Sequence, residues 1–239
     1  MKVAILRPRE YLNETLSKLK KEGFDAIGIP FIEIEHLKEN LNLNGFDFDA
    51  LIVTSQTAAK ILVNSGFNLK DKEIIAIGKK TAKVFELHGF NTFIPSKFDS
   101  KSVYEEFKEK LAKKRVLILR SDKGSDEIFK LKDYCELLEI QLYKIKFKHG
   151  YEQKEFIREV YKNKNNYAIV FSSNMIAKSF INLSKKLGFE PESLEQMCIA
   201  IGPPTKSVLE NNKIKALMPL EYTFDGIIDL LKELKLNKT

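Results

Sequence analysis

Apolar residues along this chain follow two rhythms. Short aliphatic runs occur at 3–7, 25–29, 51–54, 74–77, 92–94, 116–120, 140–147, 168–172, 198–201 and 215–218. Most show no apolar/polar alternation. A strand covered on both faces reads this way, so the runs predict parallel sheets sandwiched by helices. Between them apolar residues recur every three or four positions. Tyr11, Leu12, Thr15, Leu16 and Leu19 would line one helix, Val103, Phe107 and Leu111 a second, and Ile227, Ile228, Leu231 and Leu234 the last. Gly23, Gly66, Gly89 and Gly188 stand where helices should end in a left-handed cap. Alternating strands and helices predict a doubly wound α/β architecture with five strands in each half.

Two stretches break the rhythm. Residues 30–49 begin Pro-Phe-Ile-Glu-Ile-Glu, and residues 144–166 begin Lys-Ile-Lys-Phe-Lys-His-Gly. Apolar and charged residues alternate at the start of both, the pattern of an exposed ribbon. These stretches, near 30–48 and 144–166, read as connectors where the chain leaves one lobe.

The chain also repeats itself. Ala50-Leu51-Ile52-Val53-Thr54-Ser55-Gln56 returns as Ala168-Ile169-Val170-Phe171-Ser172-Ser173-Asn174. Ile75-Ala76-Ile77-Gly78, two lysines and Thr81 return as Ile199-Ala200-Ile201-Gly202, two prolines and Thr205. Pro95 and Pro219 follow at the same distance from their glycines, and Leu6-Arg7 corresponds to Leu119-Arg120. A duplicated α/β unit implies two similar lobes, and function is expected in the cleft between them.

Composition narrows the class of protein. A length of 239 residues suits two lobes, each large enough to bury a core. No apolar run approaches the ~20 residues that span a bilayer, and a strand-like run begins at once where a signal peptide would stand. The two cysteines, Cys135 and Cys198, lie far apart and read as buried thiols in a reducing cytosol. A cytoplasmic protein is therefore expected. The net charge is +7, with a pI near 9.1, which favours anionic partners. The lysines are scattered and no RNA-binding aromatic motif stands out, so nucleic acid is not the expected partner.

Ligands of parallel α/β sheets bind beyond the carboxyl ends of the strands. The residues there are Arg7-Pro8, Thr54-Ser55, Gly78, Arg120-Ser121, Ser172-Ser173 and Gly202. No aspartate set of a phosphate-accepting receiver, no G-x-G-x-x-G and no Walker loop is present. His36, His88 and His149 lack zinc spacing. What remains is a set of helix starts, at Thr54-Ser55, Ser172-Ser173, Gly78 with Thr81, and Gly202 with Thr205. The simplest reading of each hydroxyl is helix capping. Four such starts at matching places would also offer N–H groups and positive dipole ends to carboxylates or phosphates. Arg7 and Arg120 would add charge at the first turn of each half.

Taken in order, these pieces resemble the uroporphyrinogen-III synthases. The resemblance rests on Leu6-Arg7-Pro8, Ile52-Val53-Thr54-Ser55, Ala76 to Ala82, Leu117 to Arg120, Val170 to Ser173, Ala200 to Thr205 and Pro219 to Gly226. It implies two flavodoxin-like lobes joined by a two-stranded linker. One lobe would be 1–34 plus 149–239 and the other 35–148. It implies cyclisation of a linear tetrapyrrole, preuroporphyrinogen (hydroxymethylbilane), with loss of water and inversion of the last pyrrole ring, a step of heme biosynthesis. No cofactor, metal, nucleic acid or membrane is implied, and a monomer is expected. Thr81 and Thr205 would hydrogen-bond carboxylate arms or the leaving hydroxyl. Arg7, Thr54, Ser55, Gly78, Ser172, Ser173, Gly202 and Phe147 would contact substrate. The family often carries a tyrosine, a candidate proton donor, at the end of the strand entering the second linker. The best alignment of 140–148 with the family pattern places Phe147 there and leaves Tyr143 and Tyr151 out of register, so orientation rather than a phenol is expected to carry the catalysis. The competing readings are a non-enzymatic two-lobed anion-binding or regulatory protein and, on charge alone, a nucleic-acid-associated protein.

Overall fold

The computed structural model describes residues 2–37, 47–164 and 166–236. Ten strands and eight α-helices are found among them. They are β1 (Lys2–Leu6), α1 (Leu12–Lys21), β2 (Ala26–Ile29), β3 (Ile32–His36), β4 (Ala50–Val53), α2 (Gln56–Asn64), β5 (Glu73–Ala76), α3 (Lys79–Glu86) and α4 (Ser100–Phe107). Then follow β6 (Arg115–Ser121), β7 (Glu136–Phe147), α5 (Tyr151–Lys162), β8 (Tyr167–Phe171), α6 (Asn174–Lys186), β9 (Met197–Ala200), α7 (Pro203–Glu210), β10 (Ala216–Leu217) and α8 (Phe224–Leu236). A 3-10 run, Asp126–Asp133, replaces an α-helix between β6 and β7. The chain divides into two compact units, residues 1–33 with 146–239 and residues 34–145.

The first unit is built on the sheet order β10-β9-β8-β1-β2, parallel throughout. Both faces are covered, which is why its strands are apolar at every position. Val3, Ile5, Ala168, Val170 and Ile199 pack with Leu12 and Leu19 of α1 and Phe224, Ile227, Ile228 and Leu231 of α8. Residues of alternate parity, Ala4, Leu6, Ile169 and Phe171, are also fully buried. On that side Phe180 of α6 packs edge-on against Phe171. Helix α1 lies so close to the edge strand that a Cβ at Gly28 would sit 2.7 Å from Leu12 Cδ2.

The second unit follows the order β3-β7-β6-β4-β5. Leu51, Val53, Leu117 and Leu119 face α2 and α3, while Ala50, Ile52, Val116 and Ile118 face Val103, Phe107 and the 3-10 run. Strands β4 to β7 are parallel. The last strand of the first repeat, expected at 92–94, is only a single bridge from Phe93 to Ile75.

The two sheets trade strands between repeats. The first sequence repeat supplies β1 and β2 to one sheet and β4 and β5 to the other. The second supplies β6 and β7 to the latter and β8, β9 and β10 to the former. The chain therefore passes between units twice, along β3 and β7, which are neighbours in the second sheet. Two bonds, Lys148 N–H to the Phe31 carbonyl and Leu37 N–H to the Leu142 carbonyl, run in opposite directions along the two segments and mark an antiparallel pair.

The stretch 144–166 is not an extended connector. It holds the twelve-residue α5, whose Phe156, Ile157 and Val160 are buried. The alternating residues that suggested a ribbon belong to the end of β7. Within 30–49, residues 32–36 form β3, and residues 38–46 fall outside the described residues.

In the first unit the outgoing and returning segments are clasped. Gln153 Nε2 donates to the Pro30 carbonyl at 2.9 Å, and Gln153 Oε1 accepts from Gly150 N–H at 3.0 Å. Ser179 Oγ donates to the Phe31 carbonyl at 2.6 Å. Its proton being so used, His149 Nε2 must carry the hydrogen that reaches the Ser179 oxygens at 3.1 and 3.2 Å. The Phe31 ring packs against Phe156 and Phe180.

Replacing Gln153, 1 % exposed, by alanine orphans the Pro30 carbonyl and the Gly150 N–H. Gln153→Ala is expected to lose about 1–3 kcal/mol of stability, read from denaturant unfolding. Burial also holds the His149 imidazole below its ordinary value of 6.5, and Lys186 and Lys154 add to the effect. Between that lowered value and 6.5 the unfolded chain binds more protons than the folded one, so stability rises with pH through the window and is lost as pH falls. The melting temperature of the wild type should drop more from about pH 7.5 to about pH 5.5 than that of His149→Gln, which keeps a donor for Ser179.

Candidate functional site

Parallel strands place their carboxyl ends along one edge of each sheet, and the sequence-predicted residues gather there unit by unit. In the second unit Thr54 and Ser55 follow β4. Ser55 has an extended backbone, and its hydroxyl accepts from Ala58 N–H, capping α2. The same hydroxyl lies 2.9 Å from the phenol oxygen of Tyr143. Thr54 is half-buried, with its N–H on the Leu119 carbonyl at 3.2 Å.

Tyr143 reaches Ser55 because of a bulge. Along the β6–β7 ladder Arg120 pairs with Gln141, but Ser121 pairs with Tyr143, skipping Leu142. An extra residue re-aims the strand that carries it. Leu142 and Tyr143, adjacent in sequence, are consequently both buried in the same core cluster. Asp122 secures the bulge, its N–H donating to the Tyr143 carbonyl and its carboxylate accepting from Ile145 N–H. The alignment that placed Phe147 at the family tyrosine left Tyr143 out of register, and the bulge is what brings Tyr143 to Ser55. Phe147 lies four residues on, 40 % exposed, with its ring 5.8 Å from His149. Tyr151 is 80 % exposed at the start of α5.

Gly78 precedes α3 with φ of 100°, a conformation that L side chains rarely adopt. Thr81 is buried, with its N–H and hydroxyl donating to the Gly78 and Ile77 carbonyls. Its proton is therefore committed in this conformation, and its lone pairs are what it offers a ligand. In the first unit Gly202 stands before α7, and Thr205 is likewise buried with its N–H on Gly202. This start offers fewer N–H groups than the other three. Pro203 and Pro204 occupy the first helical positions and have none.

Ser172 Oγ donates to the Leu6 carbonyl at 2.8 Å, joining β8 to β1, and Ser173 caps α6 through Ile176 N–H. Capping accounts for the contacts of Ser55 and Ser173 with their helices. Arg7 donates to Thr15 Oγ1 at 2.8 Å and rests on the rings of Tyr11 and Phe224 at 5.0 and 5.1 Å. Burial lowers its pKa, while Glu14 opposes that effect. Arg120 is not a substrate arginine by geometry. Only 4 % exposed, it bonds Glu139, Asp126 and the Ser125 carbonyl and lies over Phe129. It locks the loop after β6.

Cys135 and Cys198 are free and buried, and burial pushes their thiols up to about 11 and about 12. Neither is a ready nucleophile at neutral pH. Among the described residues no group of three or more His, Cys, Asp or Glu could hold a metal ion, and no helix is long and apolar enough to cross a membrane. The arrangement thus offers a phenol–hydroxyl pair, helix starts and a basic chain, a set suited to holding carboxylates and assisting loss of a hydroxyl.

Comparison with known proteins places the chain in a family. A protein of Archaeoglobus fulgidus named "Putative uroporphyrinogen-III synthase" is 45 % identical over 239 residues, covering 99 % of this chain and 100 % of the relative. A crystal structure of a mutant uroporphyrinogen III synthase from the extremely thermophilic bacterium Thermus thermophilus superposes with a TM-score of 0.67 at 16 % identity, covering 100 % of both chains. The uroporphyrinogen-III synthetase structure from Helicobacter pylori gives a TM-score of 0.63 at 20 % identity, covering 98 % of this chain and 100 % of that one. At such identities the structural likeness is one of fold. The family described as "Uroporphyrinogen-III synthase HemD" matches residues 13–229, nearly the whole length, and with that match the chain belongs to the uroporphyrinogen-III synthase family.

Proposed function

We propose that this protein cyclises preuroporphyrinogen to uroporphyrinogen III, inverting the last pyrrole ring and releasing water. The observation that carries the reading beyond family membership is the Ser55–Tyr143 pair at the carboxyl edge of the second parallel sheet. The hydroxymethyl group of the substrate must leave as water, which takes up one proton. A buried phenol held on a serine hydroxyl is placed to give that proton. The resulting azafulvene is attacked by the substituted carbon of the terminal ring, forming a spiro intermediate. Rearrangement and loss of the terminal ring's proton complete the macrocycle and balance the proton consumed.

Left unguided, the azafulvene closes without inversion. The protein's main task is therefore to hold the chain in the productive pose and exclude water. The reading gives the helix starts of α2, α3 and α6 the carboxylate arms of the substrate, with Thr54, Ser55, Gly78, Thr81, Ser172 and Ser173 lining them. Arg7, Gly202, Thr205 and Phe147 complete the proposed contacts. Residues 1–34 with 149–239 and residues 35–148 act as two lobes. The scattered lysines support a basic surface that attracts a polycarboxylate rather than a nucleic-acid track. The chain works as a cytoplasmic monomer without cofactor or metal.

Protein treated with a strong chelator should still convert enzymatically generated preuroporphyrinogen to the type III isomer, as resolved by chromatography. Type I isomer alone, at the spontaneous rate, would refute the assignment. Tyr143→Phe should lower kcat by about 10²-fold while KM stays within about threefold, since a proton donor to the leaving group acts in the transition state. A drop of less than about fivefold would return the catalytic burden to orientation alone.

A further inference from the structure

The internal repeat extends further than its glycines and prolines. Twenty residues after Gly78 stands Phe98, and twenty after Gly202 stands Tyr222. Each aromatic is followed by a residue that caps the next helix. Asp99 accepts from Ser102 N–H at the start of α4, and Thr223 Oγ1 accepts from Gly226 N–H in the first turn of α8. The structure brings each aromatic back to its own glycine. A Cβ added at Gly78 would meet Phe98 Cβ and Cγ at 3.8 Å, and one added at Gly202 would meet Tyr222 Cβ and Cγ at 3.5 Å. Both aromatic residues are 53 % exposed.

Single exposed aromatics are ordinary on protein surfaces. Here the same exposure recurs at the same position of both repeats, at the sheet edge where parallel α/β folds bind ligands. Among the described residues, neither belongs to the core clusters around β1, β4, β6 and β8. We propose that Phe98 and Tyr222 are positioning residues, each laying its ring against a pyrrole of the linear tetrapyrrole. This rests on the synthase reading above. A pyrrole is flat and electron-rich, and aromatic rings hold such faces by offset or edge contact.

The two copies differ in what surrounds the ring. Lys79 and Lys80 open α3 beside Phe98, whereas Pro203 and Pro204 open α7 beside Tyr222. The Phe98 copy thus suits a pyrrole together with its carboxylate arm. The Tyr222 copy, whose first two helical positions lack N–H groups, holds its pyrrole by the ring face.

Four variants test this: Phe98→Leu, Tyr222→Leu, Phe98→Tyr and Tyr222→Phe, assayed with enzymatically generated preuroporphyrinogen. Each leucine variant should raise KM by about five- to tenfold, the size of a lost aromatic contact. Each should also raise the fraction of type I isomer, with a melting temperature unchanged from the wild type. The aromatic exchanges should stay within about twofold of the wild type. Leucine variants with wild-type KM and isomer ratio would overturn the proposal, as would KM increases matched by a fall in melting temperature. The wild type run in parallel separates the two readings. Failure of the wild type to make type III product overturns the synthase assignment and this proposal with it. Wild-type turnover with unaffected leucine variants overturns this proposal alone.

Discussion

Two carbonyl oxygens, those of Pro30 and Phe31, tie together the points where the chain leaves the first unit and returns to it. That unit is made from the two ends of the chain, separated by the whole second unit. Parallel pairing of β1 with β8 sets their register from Lys2–Tyr167 to Leu6–Phe171. The clasp at Pro30 and Phe31 sets where the chain leaves and where it returns. Gln153, Ser179 and the Lys148 N–H meet those carbonyls, and His149 completes the set. These polar groups stand beside the rings of Phe31, Phe156 and Phe180, where an unmatched hydrogen bond is costly. Their mutual satisfaction fixes the exit and return of the chain in a unit already joined by the β1–β8 ladder and its shared core.

The exchange of strands between repeats gives that clasp its importance. Had each repeat folded on itself, each sheet would be closed by local connections. Instead the first two strands of each copy join the last strands of the other. Both sheets keep the same arrangement of apolar faces because the copies are interchangeable in pattern. Val3, Ile5, Val170 and Ile199 meet in one core, and Val53, Leu117 and Leu119 in the other, though they come from different copies. The carboxyl edge of the second sheet is then assembled from both repeats, which is how Ser55 of the first copy comes to bond Tyr143 of the second.

Individual residues show where sequence reasoning reached the site and where it stopped. Ser55 and Ser173 were legible as caps because a hydroxyl before an apolar helix has a local partner three residues on. Arg120 looked like a twin of Arg7, but Glu139 and Asp126, brought close by the fold, neutralise it. The prolines after Gly202 were visible, and their chemical meaning followed only once α7 was seen to begin on them. Aligning 140–148 with the family pattern pointed to Phe147, whereas the contact of Tyr143 with Ser55 depends on a bulge that periodicity does not reveal.

Short-range spacing was enough to point to the α/β class and the repeat, and the ordered motifs resembled the family. Apolar runs specify strands buried on both faces, helical spacing specifies the layers that bury them, and Gly23, Gly66, Gly89 and Gly188 mark helix ends at positive φ. Folding in three dimensions settled which copy's strands share a sheet, which arginine is neutralised and which tyrosine reaches Ser55. Those outcomes depend on pairings between residues far apart along the chain. A local pattern admits several such pairings, and only the competition for burial and for hydrogen-bond partners in the folded chain selects one.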